Sequence, residues 1–278
     1  LILIRILRLL HVFSLDVVVA AMAMSAWIFL AHKANLNWPL IFSLGLFVWA
    51  VYLFDHALDA TRLPLLGTRR QSHFKYRNLF WPIAIFALLS SFAISLPYFL
   101  HSSLLGLLFM AAALLLLFCY LGIGLFAPLK PLQQYKEFFL PPGYTLGIAL
   151  PFVLSQELPS LDFLFLFGIG LLIFQSLLLL AKLDALDDAL EKNSTYIQSQ
   201  NPRQLSILFW ACCLLWLGIA LFAPNKIGPM FWLGSGTWTI YILFFLNPQI
   251  LIGWKMRSAI EWLLCLPGLS HAFQSIRH

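Results

Sequence analysis

Eight runs of about 20 predominantly apolar residues follow one another along the chain, and no other feature restricts its folding so strongly. Each run is long enough to cross a bilayer as a helix. Only 10% of the 278 residues are charged and 62% are hydrophobic, so a soluble domain of this size would lack the charge to cover its surface. A polytopic membrane protein is expected. The runs are too long and too many for a cleaved signal peptide, so the spans themselves direct the chain to the membrane.

The expected fold is an all-α, polytopic membrane helix bundle, a single membrane domain over 1–278 with eight to nine transmembrane helices. Its spans are read near 10–32, 38–60, 79–100, 103–127, 138–156, 161–183, 204–223 and 228–246. A ninth candidate covers 248–268, interrupted by Lys255, Arg257 and Glu261. Turn residues punctuate the runs at Pro97, Leu158-Pro159-Ser160 and Ala223-Pro224-Asn225. Basic residues gather in alternate connections: Arg5 and Arg8 before the first span, Arg62, Arg69, Arg70, Lys75 and Arg77 between the second and third, Lys130 and Lys136 between the fourth and fifth. The positive-inside rule then puts the N-terminus and the 2–3, 4–5 and 6–7 connections in the cytoplasm. A multi-pass protein of a bacterial inner membrane fits this pattern.

Against that apolar background, six of the 11 acidic residues fall in two short clusters. Asp55 and Asp59 close the second span, after Tyr52. Asp184, Asp187, Asp188 and Glu191 close the sixth. Carboxylates at a membrane edge are costly, and by default they propose a functional site. The two patterns, Y-x-x-D-x-x-x-D and D-x-x-D-x-x-x-E, lie four spans apart, which hints at duplication of a four-helix unit.

Residues three, four and seven apart share a helix face, so each cluster crowds its carboxylates on one side. Like charges so close favour a cation between them. Mg²⁺ takes one or two carboxylates, keeps some water and completes its shell with substrate phosphates. Arginine forks and lysine ammonium groups suit phosphate oxygens. Carboxylate-bound metal beside Arg and Lys, opening onto an apolar bundle, suits a lipid diphosphate with its head at the rim and its tail between helices. The same residues also have plainer readings. Asp55 and Asp59 can cap a span and offset nearby arginines. Glu191 and Lys192 can be a solvated face, and the basic loop 61–78 can fix topology and touch lipid headgroups.

These motifs resemble the UbiA superfamily of intramembrane prenyltransferases, which carries aspartate-rich motifs at the cytoplasmic ends of its second and sixth helices. Val51 through Asp59 is similar to the first motif, with Val51 and Tyr52 where the family has Asn and Asp. Asp184 through Glu191 is similar to the second, with Glu191 for the closing Asp. Phe126-Ala127-Pro128-Leu129-Lys130 looks like the Y-x-x-x-K element of the 4–5 loop, with Phe for Tyr. Lys136-Glu137-Phe138 leading to Gly143-Tyr144-Thr145-Leu146-Gly147 resembles the entry into the fifth helix.

The resemblance implies Mg²⁺-dependent transfer of an isoprenyl group from an isoprenyl diphosphate to a lipophilic or aromatic acceptor. It implies Asp55, Asp59, Asp184, Asp187, Asp188 and Glu191 as metal ligands, with Asp188 alternatively paired to a loop arginine. It implies Lys130, Arg62, Arg69 and Arg70 as groups that stabilise the departing diphosphate, and Tyr52, Lys130 and Lys136 as substrate contacts. Two rival readings use the same residues. One is a non-catalytic or lipid-binding relative; the other is a cation- or proton-coupled transporter, whose site would normally lie near the bilayer midplane.

The remaining features are read more simply. Cys119, Cys212, Cys213 and Cys265 are expected to be buried thiols without a disulfide framework. Asp16, in the first span with His11, is either functional or bonded to a neighbouring helix. His56 is expected at the rim and not as a metal ligand. Gly143-x-x-x-Gly147 and Gly234-x-Gly236 are expected to let helices approach. The net charge of +6 belongs to the connecting loops and does not point to nucleic acid.

Overall fold

A computed structural model describes residues 9–62, 68–125, 136–155, 162–190, 202–222, 228–247 and 254–268. Among them, after one helical turn at 9–12, run nine helices: α1 (Leu15–Ala31), α2 (Trp38–Arg62), α3 (Thr68–Leu100), α4 (Leu104–Leu125), α5 (Lys136–Ser155), α6 (Phe163–Leu190), α7 (Pro202–Phe222), α8 (Gly228–Leu246) and α9 (Trp254–Leu263). A backbone that meets only hydrocarbon must satisfy its own polar groups, and helices do so within one segment. Segments of α2, α3, α5, α6 and α7 are long and apolar enough to cross a membrane, with shorter apolar stretches in α1, α4 and α8. The chain is a helical membrane protein.

The outside of the bundle is apolar as well as the inside. Phe86, Leu100, Leu104, Phe118, Leu214 and Phe222 all stand exposed, as side chains facing lipid would. Burial separates inner from outer helices. Two-thirds of the α6 span is covered (67%) against 28% for those of α3 and α7. Trp27, Phe29, Phe152, Phe165 and Trp216 fill the centre, with edge-to-face pairs Trp27–Phe165 at 4.9 Å and Phe29–Phe152 at 5.3 Å.

Contacts between neighbours fix the direction of each helix. Ser43 and His56 of α2 meet Ser91 and His73 of α3, so this pair is antiparallel. Gly106 and Gly143 lie against Val153 and Leu116, which makes α4 and α5 antiparallel. His32, after α1, reaches Phe152 near the end of α5 and Phe165 at the start of α6. Lys182, late in α6, donates to the Phe245 carbonyl near the end of α8 at 2.8 Å. The closing turns of α2, α6 and α8 and the opening turns of α1, α3, α5 and α9 therefore share one end of the bundle. Helices α1 and α5 pack on one another, α1 also packs on α2, and α5 also packs on α6.

Polar side chains fasten some of these contacts. Ser43 Oγ donates to the Ser91 carbonyl at 2.9 Å, and Ser91 Oγ donates to the Ser43 carbonyl at 2.8 Å. Such interhelical bonds in lipid contribute about 0.6–1.7 kcal/mol each. Because the two are reciprocal, Ser43→Ala and Ser91→Ala are expected to destabilise the chain by about 1 kcal/mol each, and the double variant by less than the sum. Thermal unfolding in detergent measures this.

Several expectations are corrected. Of the ninth candidate span, 248–268, the structure describes residues 254–268, which open with the helix α9. α9 has 10 residues, about 15 Å of helix, half of what a bilayer core requires. The first span does not run unbroken from residue 10, because Ser14 adopts φ 55° and restarts the helix at Leu15. The basic segment 61–78 is mostly helix, since α2 ends at Arg62 and α3 begins at Thr68. Gly147 and Gly236 have nothing within 4 Å of a built Cβ, so neither is a packing glycine. Gly143 and Gly234 do sit in close contact: a Cβ on Gly234 would lie 2.6 Å from the Trp216 ring. Three of the four cysteines expected to be buried are so, Cys212, Cys213 and Cys265, whereas Cys119 is only partly buried.

Candidate functional site

The α2–α3 hairpin and the α4–α5 hairpin enclose an apolar cavity of about 190 Å³. On α2 its wall runs through Leu40, Leu44, Val48, Val51, Tyr52 and Asp55, a length of about 22 Å at the helical rise. Phe92, Phe99, Met110, Leu117, Leu140, Tyr144 and Pro151 complete it from the other three helices. Period-3.6 spacing explains why one face of α2 contributes at every turn. The Asp55 carboxylate is the cavity's one ionisable carboxyl among the lining residues, and it stands at the end shared with the closing turn of α2.

The sequence-based candidates distribute as follows. Tyr52 and Asp55 both line the cavity, one turn apart. Asp59 and Arg62 continue α2 beyond them; Arg69 and Arg70 open α3, and Lys136 opens α5. Asp184, Asp187 and Asp188 lie in the last turns of α6. The fold thus brings the two acidic helix ends and the basic starts of α3 and α5 to the same end of the bundle. The side chains of Asp59, Arg62, Arg69, Arg70, Lys136, Asp184, Asp187 and Asp188 lie outside the described residues, as do Lys130 and Glu191 entirely. Helices α2 and α6 do not pack directly as a main pair; α5 packs against both and stands between them. Among the described residues no three His, Cys, Asp or Glu side chains gather as a metal site.

His56 is not a rim residue. It is 6% exposed, its Nε2 lies 2.7 Å from Ser14 Oγ, and its ring stacks on His73 at 3.9 Å. The odd backbone of Ser14 serves this contact, turning the chain so that its hydroxyl meets α2. Asp16 is fully buried, and its closest partner is local, not on a neighbouring helix: His11 Nδ1 lies 2.7 Å from Oδ2. The Ser14–His56 contact ties the entry of α1 to the closing turns of α2.

Sequence reasoning placed a candidate helix over α9 but not the burial of its charges. Its Glu261 is buried, with 7% exposure, and Arg257 one turn earlier is partly buried. Both act electrostatically on Tyr52, together with Asp55 and Asp16. Tyr241 of α8 holds the helix in place by donating to the Ile260 carbonyl at 3.1 Å, and Thr237 does so to Leu263 at 2.8 Å. The available signal was the i, i+4 spacing of Arg257 and Glu261 inside an apolar run. Read only as interruptions of a span, these charges are instead the inner face of a short amphipathic helix.

The resulting arrangement is amphiphilic. A carboxylate marks one end of a long apolar slot, acidic and basic helix ends surround that end, and a buried polar set lies just inside it. Such a slot can hold an extended hydrocarbon with a polar head at the Asp55 end. Compared with known protein families, curated proteins and solved structures, the chain matches none.

Proposed function

We propose that the chain is a membrane-embedded, Mg²⁺-dependent transferase of isoprenyl groups from an isoprenyl diphosphate to an electron-rich, lipophilic acceptor, a divergent relative of the UbiA superfamily. The observation that carries this reading is the position of Asp55 at the end of an apolar cavity between α2 and α5. The isoprenyl tail lies in that cavity and the diphosphate lies beyond Asp55, toward the starts of α3 and α5. The reading places this end in the cytoplasm, by the charge of its connections.

The donor set suits Mg²⁺, since hard oxygen ligands are what it prefers and Asp59 follows Asp55 by one turn on the same face. Asp55, Asp59, Asp184, Asp187, Asp188 and Glu191 would hold it, and when bound it offsets the charge of the diphosphate. Arg62, Arg69, Arg70 and Lys130 supply further positive charge to the leaving group. Lys136 and Tyr52 contact the substrate. The C1–O bond breaks with its electron pair going to the diphosphate; a carbon–carbon bond then forms between C1 and the acceptor, which gives up a proton. The apolar wall excludes water, which would otherwise capture C1.

The test uses purified full-length chain in nanodiscs, with Mg²⁺, isoprenyl diphosphates of several lengths and a panel of phenolic and quinol acceptors. Diphosphate release that depends on both Mg²⁺ and acceptor is expected, and chelation is expected to stop it. Absence of release and of diphosphate binding across the panel would overturn the proposal.

A further inference from the structure

Two glycines of α5, Gly143 and Gly147, line the apolar cavity, and they differ in what surrounds them. A Cβ on Gly143 would lie 3.2 Å from the Leu116 Cβ of α4, whereas a Cβ on Gly147 would meet nothing within 4 Å. At about 100° per residue, the other eight lining residues of α5, from Phe139 to Leu154, fall on both sides of Gly147 and within about 100° of it. Gly147 is thus the centre of the cavity-facing stripe, and the open space beside it belongs to the cavity. A glycine inside a helix gives up more backbone freedom than an alanine would. No neighbour requires that cost here, since a Cβ would touch nothing. The contacts of Gly106 with Val153 and of Leu116 with Gly143 set the register of α4 on α5, and they bring Ala113, also a lining residue, to the level of Gly147. Glycine on one helix and alanine on the other keep the cavity open at that level.

Depth along α5 sets a length scale. Phe139 is its first lining residue from the Asp55 end, and Gly147 follows about 12 Å later at the helical rise. Leu154, the last, is about 10 Å further on. The wall on α2, from Asp55 back to Leu40, has the same total length of about 22 Å. Each isoprene unit adds four carbon–carbon bonds of about 1.5 Å to a chain and, in an extended zigzag, advances it about 5 Å. A tail with its head at Asp55 therefore reaches Gly147 after about two units and the end of the lining after about four.

We infer that Gly147 is the length-determining residue of the tail slot: it lets an isoprenyl tail run on past its second unit, so that the slot takes about four units. This rests on the transferase reading, which supplies the diphosphate head at Asp55. A larger side chain at position 147 would stand across the slot at its middle and close the half that ends at Leu40, Phe99 and Leu154. The half nearer Asp55, lined by Tyr52, Leu140 and Tyr144, would keep its shape, so a two-unit tail would still fit.

The probes are geraniol, geranylgeraniol and geranylfarnesol, with tails of two, four and five isoprene units. Their binding to the full chain in nanodiscs is measured by calorimetry, with empty nanodiscs correcting for partition into lipid. The unaltered chain is expected to bind geranylgeraniol at least about tenfold more tightly than geraniol, and geranylfarnesol no more tightly than geranylgeraniol. Gly147→Leu is expected to weaken geranylgeraniol about ten- to a hundredfold, the scale of overpacking a filled site, and geraniol by less than about twofold. Retained geraniol binding shows that this variant has folded. Gly147→Ala is the second control: its Cβ meets nothing and alanine is the better helix former, so the melting temperature should rise. Unchanged geranylgeraniol affinity in Gly147→Leu, equal losses of geraniol and geranylgeraniol, or equal affinities of the unaltered chain for those two would overturn the inference. Tighter binding of geranylfarnesol, or a lowered melting temperature in Gly147→Ala, would overturn it too. Mg²⁺-dependent binding of geranyl and geranylgeranyl diphosphates is measured in parallel. If the alcohols discriminate as expected while neither diphosphate binds, the transferase reading fails and the role of Gly147 in the slot stands.

Discussion

Asp55→Asn is expected to slow diphosphate release by about 10²–10³-fold, the scale seen when one preorganised electrostatic contact to a developing charge is removed. The carboxamide keeps the size of the side chain and its place on α2, so the apolar cavity should persist. What is lost is the negative charge at the cavity's end. A tail-only ligand such as geranylgeraniol should bind the variant as it binds the parent, because the wall from Leu40 to Tyr52 is unaltered. Steady-state release with saturating Mg²⁺ and isoprenyl diphosphate is the measurement. A rate indistinguishable from that of the unaltered chain would remove Asp55 from the site and, with it, the central support for prenyl transfer.

The largest expected loss of stability comes from a glycine. A Cβ on Gly268 would lie 2.6 Å from the Ala23 carbonyl oxygen of α1. That oxygen belongs to the helix backbone, so it cannot swing aside as a side chain can. Gly268→Ala must push the segment after α9 away from α1, unseating buried Leu264 and Cys265 and loosening the hold on Glu261. A cost of about 1–3 kcal/mol is expected, the usual range for overpacking, and more for Gly268→Leu. Gly45→Ala provides the contrast. Its Cβ would meet Met22 Sδ at 2.7 Å, and a flexible thioether end can move. Thermal unfolding in detergent should show a clear drop for Gly268→Ala and little change for Gly45→Ala. Equal effects would mean that α1 and the C-terminal segment are less closely seated than their geometry indicates.

Much of the helical order was legible in the chain, and the reason is physical. Long apolar runs in lipid have few alternatives to the helix, so α2, α5, α6, α7 and α8 fall near the positions that hydropathy suggests. The failures lie where charge and burial part company. The basic residues from Arg69 to Arg77 were read as a loop because they are polar, yet α3 carries them as its opening turns. Hydropathy reports preference for lipid, and a helix projecting beyond the apolar layer does not need that preference. α9 shows the opposite case: Arg257 and Glu261 interrupt an apolar run, yet Glu261 is buried and Arg257 partly so. His56 shows the same limit. Its neighbours Ser14 and His73 are distant in sequence, so nothing local told a buried ring from one at the rim.

By itself, the sequence determined that the chain is a bundle of apolar helices with carboxylates at the ends of its second and sixth, since hydrophobic length and charge placement are properties of each segment alone. Only the tertiary structure decided that Asp55 ends a cavity, that Tyr52 and Tyr144 line it, and that Glu261 of α9 is buried. A cavity is a space between helices, and its lining depends on how each helix is rotated and which neighbour it meets. Hydrophobic patterning leaves that rotation open when every face is apolar, and packing and interhelical hydrogen bonds then settle it.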